Sequence, residues 1–347
     1  MDIPKTTLMA VLRETNSPLS LEEVSLPGLC PGQALVKLAY SGVCRSQLSE
    51  RQGSMGPDKY IPHCLGHEGT GVVVSIGEGV QKVKPGDHVI LSWIKGSGIQ
   101  CQPVKYGGGN KIISGGYANT FTQYSIASEN RLVKIPQDVP LDICSIIGCG
   151  IATGFGSVCH DSMLVPGGSI AIVGTGCVAI NGIHTASIMG ASKIIAIGRN
   201  KNKLELCKKF GATDVFDIDD KKLISEIKEL SEGGVDAAID AIGMSKAFEL
   251  AFSIIRHKGK AVAVGVPHFE DTVTLNAASL VGNKYIVGSI GGSCQPDQDF
   301  MRIIRLYEKK LYNIEDMITH RFPFEKVNEA LDLLEKGGNA LACILEF

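Results

Sequence analysis

Hydrophobic and polar positions change rhythm near residue 150. Before that point apolar residues come in short runs, as at 34–40 and 71–76, broken by turns such as Pro31-Gly32 and Pro85-Gly86-Asp87. Short strands between Gly/Pro turns predict a barrel-like β domain. Residues 92–118 are rich in Gly and Ser, keep no period and read as a long surface excursion. After residue 150, continuous apolar runs alternate with helical patterns. Residues 169–173 read as a buried strand, followed by a glycine turn and an apolar helix. Residues 193–197 form a second strand and 201–210 a helix stopped by Gly211. Strands at 235–240 and 260–265, with a helix over 246–256 between them, complete an α/β alternation. That alternation predicts a doubly wound parallel sheet. Residues 323–336 carry a helical stripe of Val327, Leu331 and Leu334, ended by Gly337-Gly338.

One stretch imitates a membrane span. Residues 162–192 hold no Asp, Glu, Lys or Arg, and that length could cross a bilayer. Pro166 and six glycines argue instead for a buried strand, a turn and a buried helix. No membrane association is expected.

Composition narrows the classes. Hydrophobic residues make up 44% of the 347, far too many for a disordered chain. The formal charge of −2 leaves no electrostatic footprint for nucleic acid. Glycine, at 41 residues, is in excess without a collagen period, so it serves turns and close backbone approaches. The 11 cysteines are odd in number, and the charged opening Met1-Asp2-Ile3-Pro4-Lys5 is not expected to be a secretory leader. A reducing, cytoplasmic setting is therefore expected, with the thiols acting as core residues, nucleophiles or metal ligands.

Gly174-Thr175-Gly176-Cys177-Val178-Ala179 follows a strand and opens a helix. It fits the dinucleotide pattern: Gly174 for the tight turn, Gly176 for close approach of the pyrophosphate, and a small residue, Ala179, for packing. The phosphates would sit at a helix N-terminus. The second strand ends in Gly198-Arg199-Asn200-Lys201, without the carboxylate that NAD-binding versions place there. Gly198 leaves room, and Arg199 with Lys201 or Lys203 could bind a 2′-phosphate, so NADP(H) is expected over NAD(H).

A catalytic zinc needs three S/N ligands and an open position. Cys44, His67 and Cys149 offer such a set on three separate glycine-rich segments. Together with Gly42-Val43-Cys44-Arg45-Ser46, residues 66–80, Pro85-Gly86-Asp87, residues 120–124 and 147–150, and residues 318–329, they resemble the zinc-dependent alcohol dehydrogenases of the medium-chain dehydrogenase/reductase family. The last stretch is most similar to the animal-type alcohol and glutathione-dependent formaldehyde dehydrogenase branch.

That resemblance implies a Rossmann domain over 151–291 and a GroES-like, mainly β catalytic domain over 1–150 with 292–347. It implies zinc on Cys44, His67 and Cys149, with Glu68 a carboxylate beside the metal. Arg45 would contact the pyrophosphate, Ser46 the substrate oxygen and Thr153 the nicotinamide surroundings. Trp93, the one tryptophan, would form a wall of the substrate pocket. The implied reaction is hydride transfer between NADP(H) and a small alcohol, aldehyde or ketone, with zinc as Lewis acid. Residues 284–288 resemble the strand that pairs subunits, implying a homodimer or tetramer.

Four departures stand out. Residues 92–117 hold only Cys101 where relatives often carry a four-cysteine structural zinc lobe, so one zinc per chain is expected. Ser49 stands where the proton relay often ends in His. Gln47 replaces the Asp that orients the zinc-bound His; its amide oxygen would accept from the imidazole N–H with less charge, implying a weaker hold on zinc. Ala342 replaces a pyrophosphate-binding arginine. The altered relay and the 92–118 segment leave two alternatives: a polyol or sugar-derivative dehydrogenase, or a zinc-independent cofactor-binding protein with a structural or regulatory role. Cys64 and the other thiols read as core residues, and His63 as a histidine without partners.

Overall fold

Residues 3–108 and 111–347 are described by the computed structural model. The chain divides into two units. One runs to Cys149 and resumes over Gln295–Phe347; the other is Gly150–Cys294.

The first unit is built on strands. Five close into a barrel in the order Thr6–Leu12, Ser20–Ser25, Val104–Gly108, Lys111–Gly116, His63–Cys64. A second sheet runs Leu132–Ile135, His88–Ser92, Glu68–Ile76, Gln33–Val43, Ala342–Glu346, Ile318–Pro323, and Tyr124–Ser128 also pairs with Gln33–Val43. Met9, Leu12, Leu35, Tyr106, Phe121 and Phe324 fill the core with almost no exposure. The expected surface excursion at 92–118 is corrected here. Its second half is a barrel hairpin whose Tyr106 and Ile113 are fully buried. Tyr106 Oη donates to Asn119 Oδ1 at 3.1 Å and accepts from Ile126 N–H at 2.9 Å. Glycine diluted the period-2 pattern without removing the inward-facing residues. Residues 109–110 lie outside the described residues.

Three structural devices converge on one end of this sheet. Gln33–Val43 and Glu68–Ile76 pair antiparallel, with Ser41 opposite Gly69, so the end of one lies beside the start of the other. Cys44 caps the short helix Arg45–Arg51, and His67 immediately precedes Glu68. Cys149 arrives on a continuous helical stretch, 141–162, inside the π-type turn Ile147–Ile151. Such turns occur often at functional sites. Thr70 Oγ1 donates to Leu141 O at 2.7 Å and Ser92 Oγ to Gly148 O at 2.6 Å, tying this helix to the sheet. Leu141–Ser162 has the length and apolarity of a membrane span, but 89% of its most apolar window is buried in the fold.

The second unit is a six-stranded parallel sheet. Numbered by their order in the chain, its strands lie in the spatial order 3-2-1-4-5-6: Asp214–Asp217, Lys193–Gly198, Ser169–Val173, Val235–Asp240, Ile255–Ala263, Tyr285–Gly288. In such sheets ligands bind beyond the strand ends where the order reverses, between the first and fourth strands. The charge-free 162–192 stretch resolves into Ser169–Val173 and the helix Cys177–Ile188, both buried. The helix expected to reach 256 ends at Ile254, and the next strand begins at once with Ile255, across a bulge in its pairing. Tyr285–Gly288 lies at the sheet edge with Tyr285 and Ile286 exposed. In the first unit, the amphipathic segment begins later than its pattern suggested. Pro323 ends a strand, and the α-helix is Val327–Lys336.

Candidate metal centre and dinucleotide turn

Cys44, His67 and Cys149 present ligand atoms that all lie within 4.8 Å of one another. The two sulfurs are 4.0 Å apart. His67 Nδ1 is engaged by Gln47 at 3.1 Å, while Nε2 is buried without a hydrogen bond. A buried, unsatisfied imidazole nitrogen beside two thiols is costly unless something binds there. Two sulfurs and one nitrogen form the donor set of a catalytic zinc, and the residues fit that ion.

The three groups are electrostatically coupled. The hydrogen bond with Cys149, helped by His67, draws the Cys44 thiol well below its usual range. Cys149 moves the other way because the Cys44 sulfur and burial hold its proton. Burial opposes charge on His67, yet Cys44, Glu68 and Glu50 outweigh it and raise its pKa. A metal needs deprotonated Cys and neutral His, so Cys44 is shifted toward the binding form while Cys149 and His67 are shifted away from it.

Glu68 is buried between two glycines. A Cβ on Gly42 would lie 2.7 Å from its carboxyl carbon, and one on Gly148 would lie 3.0 Å from its own Cβ. Both glycines sit within two residues of a candidate ligand, so their absence of side chain is what admits a carboxylate here. Ser46 Oγ is buried and lies near the Cys44 sulfur, which it helps hold as thiolate. Trp93 is 36% exposed, stands edge-on to His67 with ring centroids 6.3 Å apart, and its indole slightly offsets the rise of the Cys149 thiol. Ser49 is half-buried on the same helix, and Arg45 is exposed, donating to Leu334 O at 3.3 Å.

Several residues escaped the sequence reading. Glu50 is half-buried, and its burial raises its pKa despite His67 and His63 nearby. His63 has a partner after all, Asp58, at 2.8 Å. Glu129 is buried and accepts from Gln81 N–H at 2.6 Å, Lys82 N–H at 2.8 Å and Ile99 N–H at 2.8 Å. Its neighbour Arg131 donates to Trp93 O and, at 3.0 Å, to Gln100 Oε1. Asp297 accepts from Ser97 N–H at 2.7 Å. Carboxylates thus organise the segment around Cys101, and Cys101 itself donates to Pro31 O at 3.2 Å. No local motif announces contacts of such long range; only the absence of three partner cysteines hinted that something else must hold the segment.

Gly174 has φ +127°, which excludes most side chains, and a Cβ on Gly176 would meet nothing within 4 Å. That open space lies at the N-terminus of Cys177–Ile188, whose N-cap offers no side-chain acceptor. Exposed N–H groups beside open space fit a pyrophosphate. Ala179 is buried in Cys177–Ile188, and Thr153 is buried in Ala152–Gly156. Asp240, at the end of the fourth strand, accepts from Ile242 N–H at 2.9 Å, and burial pushes its carboxyl pKa up. Arg199 is paired with Asp219 at 2.9 Å, while Asn200 caps the next helix by accepting from Lys203 N–H at 3.1 Å. Gly198 has a second constraint: a Cβ there would lie 2.5 Å from Thr175 Cγ2. Packing against the Thr175 side chain also favours glycine here, so room for a phosphate is not its only explanation.

A Cys₂His cluster on a β domain and a glycine turn on a 3-2-1-4-5-6 sheet, within one chain, define a metal-dependent dehydrogenase that binds a dinucleotide. Comparison with known proteins is consistent throughout. The alcohol dehydrogenase GroES-like domain family matches residues 30–137, and the zinc-binding dehydrogenase family matches 177–309. Alcohol dehydrogenase 2 of Zea mays is 33% identical over 97% of this chain and 96% of its own length. S-(hydroxymethyl)glutathione dehydrogenase of Saccharomyces cerevisiae is 30% identical over 96% and 95%. The crystal structure of benzyl alcohol dehydrogenase from Acinetobacter calcoaceticus superposes with a TM-score of 0.89 at 27% identity, covering 99% of this chain and 100% of that one. The chain belongs to the zinc-dependent alcohol dehydrogenases of the medium-chain dehydrogenase/reductase family, oxidoreductases that act on CH–OH groups with zinc and a nicotinamide coenzyme.

Proposed function

We propose that this protein is an NADP(H)-preferring alcohol dehydrogenase or carbonyl reductase with one zinc per chain, held by Cys44, His67 and Cys149. The observation that carries this reading is the Cys₂His cluster, with its buried, unsatisfied His67 Nε2. When bound, zinc supplies a Lewis acid for the substrate C–O group, and the coenzyme supplies the hydride acceptor or donor. Ser46, with a buried hydroxyl next to Cys44, takes or returns the substrate proton. Glu68 balances positive charge behind the ligands, and Trp93 forms an apolar wall that restricts water.

Coenzyme preference rests on the end of the second strand. No carboxylate stands there, and Arg199, with Lys201 and Lys203 on the following turn, offers cations to a 2′-phosphate. The glycine turn, with Gly174 and Gly176, receives the pyrophosphate. The exposed edge strand Tyr285–Gly288 suits pairing with a second copy of the chain, and a homodimer or tetramer is the expected assembly.

A second reading, a polyol or sugar-derivative dehydrogenase, is favoured by the polar groups near the metal cluster: Glu50 and the Asp58–His63 pair. Zinc analysis together with NADPH and NADH oxidation over aldehydes, ketones and keto-sugars tests both. Turnover of simple aldehydes or ketones with NADPH and one zinc supports the first reading. Turnover restricted to polyhydroxylated substrates supports the second. A strong NADH preference removes the coenzyme assignment.

A further inference from the structure

The helix Arg45–Arg51 begins with Gln47 reaching back to its own N-cap: Oε1 accepts from Cys44 N–H at 2.6 Å. The same amide places Nε2 3.1 Å from His67 Nδ1. Gln47 is 0% exposed, so water replaces neither partner. An amide has one acceptor end and one donor end. The Cys44 N–H can only donate, and it occupies the acceptor. The donor end therefore faces His67, and Nδ1 must accept. A neutral imidazole that accepts at Nδ1 carries its proton on Nε2.

Nε2 is the buried nitrogen left over for a metal. A metal there requires Nε2 to be bare, and the neutral imidazole then carries its proton on Nδ1. That proton points at the Gln47 amino group, donor against donor. Turning the amide over satisfies His67 but sets the amino group against Cys44 N–H. A carboxylate at this position would accept from both, because it has acceptors at each end. With glutamine, the Cys44 N–H, the Gln47 amide and His67 Nδ1 are satisfied together only in the metal-free tautomer. This corrects the expectation that the Gln47 oxygen serves the imidazole.

We propose that Gln47 holds the Cys44–His67–Cys149 cluster in a metal-free hydrogen-bonding state, so that zinc binds more weakly and exchanges faster than in a cluster backed by a carboxylate. The inference rests on the reading of this cluster as the zinc site. Gln47 acts through His67 and Cys44 and is a positioning residue.

The experiment uses the full chain stripped of metal and titrated with zinc against a competing chelator, for the wild type and Gln47→Asp. The expected result is 10–100-fold tighter zinc in Gln47→Asp, the range that follows from changing a ligand's outer hydrogen-bond partner, with slower chelator-driven release. A second readout needs neither metal nor activity. The ¹⁵N shifts of His67 in the zinc-free protein should place the proton on Nε2 in the wild type and on Nδ1 in Gln47→Asp. Equal or weaker zinc binding by a folded Gln47→Asp overturns the proposal, as does a wild-type proton on Nδ1. If Gln47→Asp does not fold, the wild-type tautomer decides alone. Zinc binding that Cys44→Ser leaves unchanged overturns the site assignment itself, and the proposal with it.

Discussion

Thr175 Cγ2 sits where the side chain of residue 198 would begin, 2.5 Å from the Cβ that glycine lacks. Thr175 belongs to the glycine turn after the first strand and Gly198 ends the second, so two positions that could each select the coenzyme are sterically linked. The obvious change toward NADH, Gly198→Asp, should therefore collide with Thr175 before it can reach a ribose. The expected outcome is weaker binding of both coenzymes and a lowered Tm. Gly198→Asp combined with Thr175→Gly should restore folding and bring NADH binding. Coenzyme titration by fluorescence, alongside thermal unfolding, checks this; NADH binding by the single variant would show that the turn yields.

Arg199 and Asp219 form a pair at 2.9 Å, both largely exposed. A 2′-phosphate must draw Arg199 away from that carboxylate or share it. An exposed pair of this kind is worth about 0.2–1 kcal/mol. Asp219→Asn should then tighten NADP(H) by up to about fivefold with little effect on NAD(H). Arg199→Ala should weaken NADP(H) by about tenfold or more, at the scale of a lost charge-assisted bond. Michaelis constants for the two coenzymes, taken at low and moderate salt, provide the readout. Equal effects on both would mean that Arg199 does not meet the phosphate.

Metal content separates catalytic from structural thiols. Among the described residues, Cys44, His67 and Cys149 are the one cluster able to hold an ion. Elemental analysis should find about one zinc per chain in the wild type. Cys101→Ser should keep it, and Cys44→Ser should lose it together with turnover. A second equivalent of zinc that leaves with Cys101→Ser would contradict the single-metal reading.

Glu129 turns the loop network into a pH dependence. Burial raises its pKa, but backbone N–H groups of Gln81, Ile99 and Lys82 outweigh burial, so the folded value lies below the unfolded one. A group depressed in this way contributes stability above its unfolded pKa and loses it as pH falls through the folded pKa. Glu129→Gln should thus cost about 1–3 kcal/mol at neutral pH, because an amino group would face backbone donors. The difference from wild type should shrink below about pH 4. Urea unfolding at pH 7 and at acid pH measures it. Because Arg131 beside it holds Trp93 O, the variant should also raise KM for the alcohol more than it lowers kcat.

Much of this protein was legible in residue order. The alternation of apolar runs after residue 150 announced the parallel sheet, because strands buried on both faces read as continuous hydrophobic stretches. The glycine turn was equally plain, since positive φ and close approach restrict one backbone stretch to one residue type. Cys44, His67 and Cys149 could be named, but only as three separate segments joined by resemblance. Less was legible at 92–118, where a barrel hairpin lay under a glycine-rich pattern, and at His63, whose partner Asp58 is five residues away across a turn.

The sequence by itself determined which chemistry the chain carries: two thiols, an imidazole, a glycine turn and a strand end without a carboxylate. These are properties of residue type and local spacing. Only the tertiary structure decided how those groups are satisfied. It turned the Gln47 acceptor to Cys44 rather than to His67, set Thr175 against Gly198, and replaced a missing cysteine lobe with the Glu129 carboxylate. Each outcome depends on two or more donors competing for one acceptor, or two atoms for one space, between segments distant in the chain. Such competition has no signature in residue order; it is resolved when folding removes water as the alternative partner.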